Sequence, residues 1–132
     1  MSTPADTSTT LLYYSSLIAL TQHLCTALEA LLPHFTYRGQ RWAHRRIASD
    51  VDETRLMLRT AAANLGTVTS LAEAVLGDEV ARPNRSLGVS ARRETLEEEV
   101  DVLGVRIGDL EVRVAELVSL RRTMVALAGL ED

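Results

Sequence analysis

The sequence predicts an all-α fold: a three-helix antiparallel bundle drawn out into an extended coiled-coil hairpin, with one shorter N-terminal helix and two long ones. Three observations point there. Apolar residues recur at alternating three- and four-residue spacing along most of the 132-residue chain, the period of one helical face and not of a strand. Seven glycines and three prolines are too few for the many turns of a β-sandwich. Only five residues are aromatic (Tyr13, Tyr14, Phe35, Tyr37 and Trp42), so a core must be built from Leu, Val and Ala, which suits helix-on-helix packing.

Residues 1–6 read as a flexible polar lead-in, and residues 7–132 as a single helical domain. A first helix is expected over 7–32, capped by Asp6, Thr7 or Ser8 through a side-chain oxygen on its free N–H groups. Tyr13, Leu17, Leu20, Leu24, Ala27 and Leu31 mark one face, and Tyr14, Ile18, Cys25, Leu28 and Leu32 the face beside it. So wide an apolar surface suits a helix that touches at least two others. Pro33 and Gly39 bracket a break, because proline removes a donor and glycine interrupts helices at little cost. A second helix is expected over 40–76, with Ile47, Val51, Thr54, Leu58, Ala61, Leu65, Val68, Ala72 and Val75 in register and Gly77 as its cap.

Residues 77–90 have the strongest loop composition in the chain, and Ser90 or Thr95 could cap a third helix over 91–129. Glu94, Glu97, Glu98, Glu99 and Asp101 crowd its first turns, where acids complement the positive end of the helix dipole. The seam Leu96, Val100, Leu103, Ile107, Leu110, Val114 and Leu117 then runs for three heptads without a miss, as a coiled coil or long bundle helix requires.

Helix lengths give a first functional lead. At ~1.5 Å per residue, the first helix should be roughly 38 Å long and the others roughly 55 Å. Laid antiparallel on short connections, it covers the start of helix two and the end of helix three. Leu65, Val68, Ala72 and Val75 would then be uncovered, with Leu96, Val100 and Leu103 opposite them. Helices of another subunit would complete that end. Residues 78–89 folding back as a lid, or a break in helix two near Gly66, would do so from within. Gly104 and Gly108, one turn apart, read either as a smooth patch for a close-approaching backbone or as a tolerated weak spot.

The charged residues narrow the function classes. All 14 basic residues are arginine, which excludes phosphate-loop, Schiff-base and general-base lysines. The single Cys25 permits no internal disulfide, and His23, His34 and His44 lack metal-ligand spacing, so no cofactor is expected. Asp50 and Glu53 share a helix face as an acid–base or metal pair would, but Arg55 and Arg59 can pair with the acids there, making a solvated face. The chain carries no catalytic motif and reads as non-enzymatic. Residues 11–28 hold no formal charge, yet polar side chains interrupt the run, so no membrane span is expected. Without a signal peptide the chain reads as intracellular, cytoplasmic or nuclear.

Arg38, Arg41, Trp42, Arg45 and Arg46 form the one basic–aromatic cluster, the chemistry that meets phosphate and stacks on bases. Against nucleic acid stands a net charge of −4, with eight acids and only two arginines between residues 94 and 116. The expected function is therefore protein–protein assembly with other helical subunits in a larger complex, a hetero-oligomer by preference and a homo-oligomer otherwise. Leu65, Val68, Val75 and the Leu96–Leu117 seam would pack on partner helices, and the charged poles would set orientation. A nucleic-acid- or phosphate-binding accessory role for the Arg/Trp cluster is the alternative.

Overall fold

The computed structural model describes residues 4–81 and 86–130. It is 93% helical with no strand among the described residues. Three helices build it: α1 (Pro4–Glu29), α2 (Arg41–Ala81) and α3 (Ser86–Leu127). Their 26, 41 and 42 residues correspond to about 39, 62 and 63 Å at 1.5 Å per residue.

Several boundaries differ from the sequence expectation. α1 begins at Pro4, so residues 4–6 belong to the helix and Asp6, Thr7 and Ser8 lie inside it; residues 1–3 fall outside the described residues. Proline's fixed φ suits a first helical turn, where its missing N–H has no partner to lose. α2 continues through Gly66 and past Gly77 to Ala81, and α3 starts at Ser86, so Ser90 and Thr95 are not caps. Of the loop expected over 77–90, residues 77–81 and 86–90 are helical, and 82–85, where the expected lid also falls, lie outside the described residues. A glycine costs a helix only about 1 kcal/mol, less than the gain from keeping neighbouring residues packed. Gly129 is the one described residue with positive φ (73°), and it ends α3. The Leu130 N–H bonds Val125 O and the Gly129 N–H bonds Ala126 O, the paired pattern of a glycine-terminated helix.

α2 and α3 are antiparallel: the Arg113 guanidinium lies 3.1 Å from the Glu53 carboxylate, and Trp42 and Arg46 share a groove with Glu116, Leu120 and Met124. The register of α1 is the main departure from expectation. Glu29, at its last turn, ion-pairs with Arg55, fourteen residues into α2. At its other end, Ser8, Leu11, Leu12 and Ser15 border a groove with Leu65, Ala72 and Leu76. α1 therefore lies toward the far end of the hairpin, not beside its base. Leu65 is half-buried, Val68, Ala72 and Val75 are buried, and so are Leu96 and Leu103. Over the described residues 65–75 and 96–103, the bare two-helix stretch expected from helix lengths is covered.

The reason is the connection between α1 and α2. Two 3₁₀ turns, Leu32–His34 and Arg38–Gln40, make it a spacer that runs along α2 instead of a tight turn. Leu31 and Phe35 are buried in it, and Phe35 sits beside Arg41, His44 and Arg45 on the first turns of α2. There Ala43, Ile47 and Val51 are buried although α1 has already ended. One contiguous apolar core results, running from Phe35 and Met124 at the base to Val75 and Leu96 at the tip. Thr21 and Thr54 are wholly buried within it, and each hydroxyl donates to the carbonyl four residues earlier, Leu17 and Asp50.

Because Phe35 stands in for a missing length of helix, Phe35→Ala should destabilise the fold by about 3–5 kcal/mol, the range for truncating a buried aromatic. A denaturant midpoint that barely moves would mean the base is sealed by other groups.

Candidate functional site

The structure gathers the expected assembly seam, but inside the chain. Leu96, Leu103, Ile107, Leu110 and Leu117 are buried and Val100 and Val114 are half-buried, packed in one core with Leu65, Val68 and Val75. These side chains are already occupied by intramolecular packing. Gly104 is likewise explained from within: a Cβ there would stand 3.1 Å from the Tyr14 hydroxyl of α1. Gly108 meets open space.

The Arg/Trp cluster is divided between two grooves. Trp42, 51% exposed, and Arg46 border a groove of about 660 Å³ with Ala115, Glu116, Ser119 and Thr123 of α3. Arg46 is tied to Asp50 at 3.0 Å, and that bond raises the guanidinium pKa. Arg41 and Arg45 border a different groove, of about 350 Å³, with Phe35, Thr36 and His44. Arg38 lies exposed in the 3₁₀ turn just before α2. Among the described residues, Arg38, Arg41 and Arg45 have no ion-pair partner.

The acidic cluster of α2 is resolved into ion pairs. Asp50 holds Arg46, and Glu53 holds Arg113, which also reaches Glu116 at 3.4 Å. Arg55 reaches across to Glu29 and not to an acid of its own helix. Among the described residues, no three His, Cys, Asp or Glu side chains converge as a metal would need. Cys25 is fully buried, and burial lifts its thiol above the ordinary range. It therefore stays protonated at neutral pH, the opposite of an activated nucleophile.

The face that sequence reasoning missed is the outer surface of α1. Leu12, Ser16, Ala19, His23 and Thr26 recur at alternating four and three residues, all exposed, on the side turned away from the core. Leu20, 48% exposed, and Tyr13 flank them, and Leu12 is 69% exposed. The Tyr13 hydroxyl donates to Glu111 of α3 at 3.0 Å, which raises the phenol pKa. From Thr7 to Leu28 there is no acid and no arginine. The outer faces of the other helices are different: Asp52, Arg59 and Glu73 are exposed on α2, and Glu98, Asp101, Asp109, Glu116 and Arg122 on α3. Val105 and Val112 are also exposed on α3, but among those acids.

The signal was present in the sequence as the uncharged run, which also gives Thr7–His34 the length and hydropathy of a membrane-crossing segment, with one-third of its most apolar window buried here. Comparison with known proteins adds nothing to this geometry: no family model, curated protein or solved structure matches the chain.

Gly108→Ala should raise stability by about 1 kcal/mol, because it removes helix-interior glycine without steric cost. Gly104→Ala should gain less, since the Tyr14 hydroxyl must shift. Equal gains in thermal denaturation would show that the Tyr14 contact is loose.

Proposed function

We propose that this chain is a non-enzymatic helical subunit that assembles with another helical protein surface through the outer face of α1. The observation that carries the reading is the charge-free run from Thr7 to Leu28, folded so that Leu12 and Leu20 point away from the core. A helix on a soluble surface ordinarily shows charge on its outer side. Burying an exposed leucine contributes up to about 1.5–3 kcal/mol, and an uncharged face loses little when water leaves it. The fitting partner is a similarly uncharged, amphipathic helix. The internally packed Leu96–Leu117 seam supports this role indirectly, by packing in one core with the inner side of α1 and leaving its outer side free.

Leu12→Glu/Leu20→Glu should leave the fold intact, since both side chains are exposed, and should reduce the native size of the assembly that the tagged chain forms in extracts of its source cell. Identical elution of wild type and double variant would refute the α1 face as the docking surface.

A second reading has its own observation: Arg38, Arg41 and Arg45 stand without ion-pair partners among the described residues, where the positive N-terminal end of a 41-residue helix begins. Such a site would take phosphate groups, as on nucleic acid. Salt-sensitive retention on a DNA column, lost in Arg38→Ala/Arg41→Ala/Arg45→Ala, is the expected result. Passage through the column at low salt would exclude it.

A further inference from the structure

We propose that the occupant of the α1 face is a second copy of this chain, lying antiparallel across a two-fold axis near the middle of α1. The inference rests on the assembly reading above and names the partner. Two independent features support it: what a symmetric contact tolerates near its axis, and how charge is distributed along the rod.

Around a two-fold axis each residue meets its own copy or a near neighbour of it. A charge there faces a like charge, so self-pairing favours an uncharged centre. The middle of α1, around Ser16, Ala19 and Leu20, meets that condition. The exposed faces of α2 and α3 do not, because Asp52 and Arg59, or Asp109 and Glu116, stand on them. With the axis between Ser16 and Ala19, Leu12 of one copy meets His23 of the other, and the small central residues let the helices approach to about 8–10 Å.

Charge along the rod decides the direction. The base comprises residues 30–49 and 117–132, which contain six arginines and two acids, a net of +4. Arg38, Arg41, Arg45 and Arg122 are exposed there. Toward the tip, residues 66–101 contain eight acids and four arginines (Arg82, Arg85, Arg92 and Arg93), a net of −4, with Glu94, Glu98 and Asp101 exposed. The C-terminal end of α1 points to the basic base, and its N-terminal end to the acidic tip. Antiparallel pairing along α1 lays each basic base beside an acidic tip, twice per dimer. Parallel pairing would bring like poles together.

The available area is sufficient. A strip the length of α1 and about two helix spacings wide is roughly 800 Å², what a standard interface buries per partner. The groove of about 420 Å³ between Leu11, Leu12, Leu65 and Leu76 lies within it and would receive side chains of the second copy.

The test is light scattering and sedimentation of the purified chain across concentration at low and high salt, with orientation read by cysteine cross-linking in a Cys25→Ala background whose fold is checked by circular dichroism. A dimer is expected, with affinity weakened roughly tenfold or more at high salt as the poles are screened. Leu12→Glu/Leu20→Glu, and separately Ala19→Glu, should be monomeric with unchanged helicity. Thr9→Cys mixed with Thr26→Cys should form a mixed disulfide, and neither should cross-link alone.

A chain that stays monomeric throughout, whether free in solution or co-sedimenting with phosphatidylglycerol vesicles, overturns the second-copy assignment. If the native assembly in extracts still depends on Leu12 and Leu20, only the partner's identity fails and the docking face stands. A dimer cross-linked Thr9 to Thr9 overturns the antiparallel arrangement. A dimer indifferent to Leu12, Ala19 and Leu20 overturns the face.

Discussion

Everything in this structure depends on where α1 sits along the α2–α3 hairpin. Two helices of about 62 Å each carry an apolar face too wide to be hidden by one neighbour, and the third helix is only about two-thirds as long. A tight turn after α1 would have placed it at the base and left the tip open. The connection instead runs along α2 through two 3₁₀ turns and buries Leu31 and Phe35 on the way. Helix and connection together match the length of the hairpin. One phenylalanine in a chain with five aromatic residues seals the place where helical cover runs out.

Polar interactions then hold the register that packing permits. Glu29–Arg55 ties α1 to α2, Tyr13–Glu111 ties α1 to α3, and Arg113–Glu53 ties α3 to α2, so each pair of helices is linked at least once. Exposed links of this kind are worth roughly 0–1 kcal/mol each, so they select among sliding positions more than they stabilise the fold. Two acids of α2 are held in this way: Asp50 by Arg46 on its own helix and Glu53 by Arg113 of α3. No buried side-chain nitrogen or oxygen among the described residues lacks a hydrogen-bond partner.

Once α1 is held in this position, its two sides have different roles. Leu17, Ile18, Thr21, Cys25 and Leu28 are turned into the core, and the opposite side is left without any charge. That side is an uncharged surface on a helix whose neighbours expose acids and arginines. The rod is also electrically polar as a whole, net positive over its base and net negative over residues 66–101, where eight acids outnumber Arg82, Arg85, Arg92 and Arg93. An uncharged contact strip combined with opposite poles favours pairing in one orientation, because close contact removes water where no charge resists and the poles act at longer range.

Fold class, helix number and the inward seams of α2 and α3 were legible in the sequence, because a three–four apolar period admits little besides a helix and the Leu96–Leu117 run has no misses. On α1 the same period placed Tyr13 and Leu20 inward, and both are exposed. The Arg38–Arg46 cluster was legible as composition, but not its division: a rotation of about 100° per residue sends Trp42 and Arg46 to one groove and Arg41 and Arg45 to another. The helix ends were misread at Asp6, Gly77 and Ser90, since residues that can cap a helix also sit inside one when packing outweighs their small cost. The position of α1 was not legible at all. Helix lengths are local properties, whereas register depends on how the residues between Glu29 and Arg41 pack against a helix they precede. The sequence by itself determined which faces are apolar and which run is free of charge. Only the tertiary structure decided that the Leu96–Leu117 seam is covered from within and that the outer side of α1 is not, because burial depends on which elements lie at the same height along the bundle.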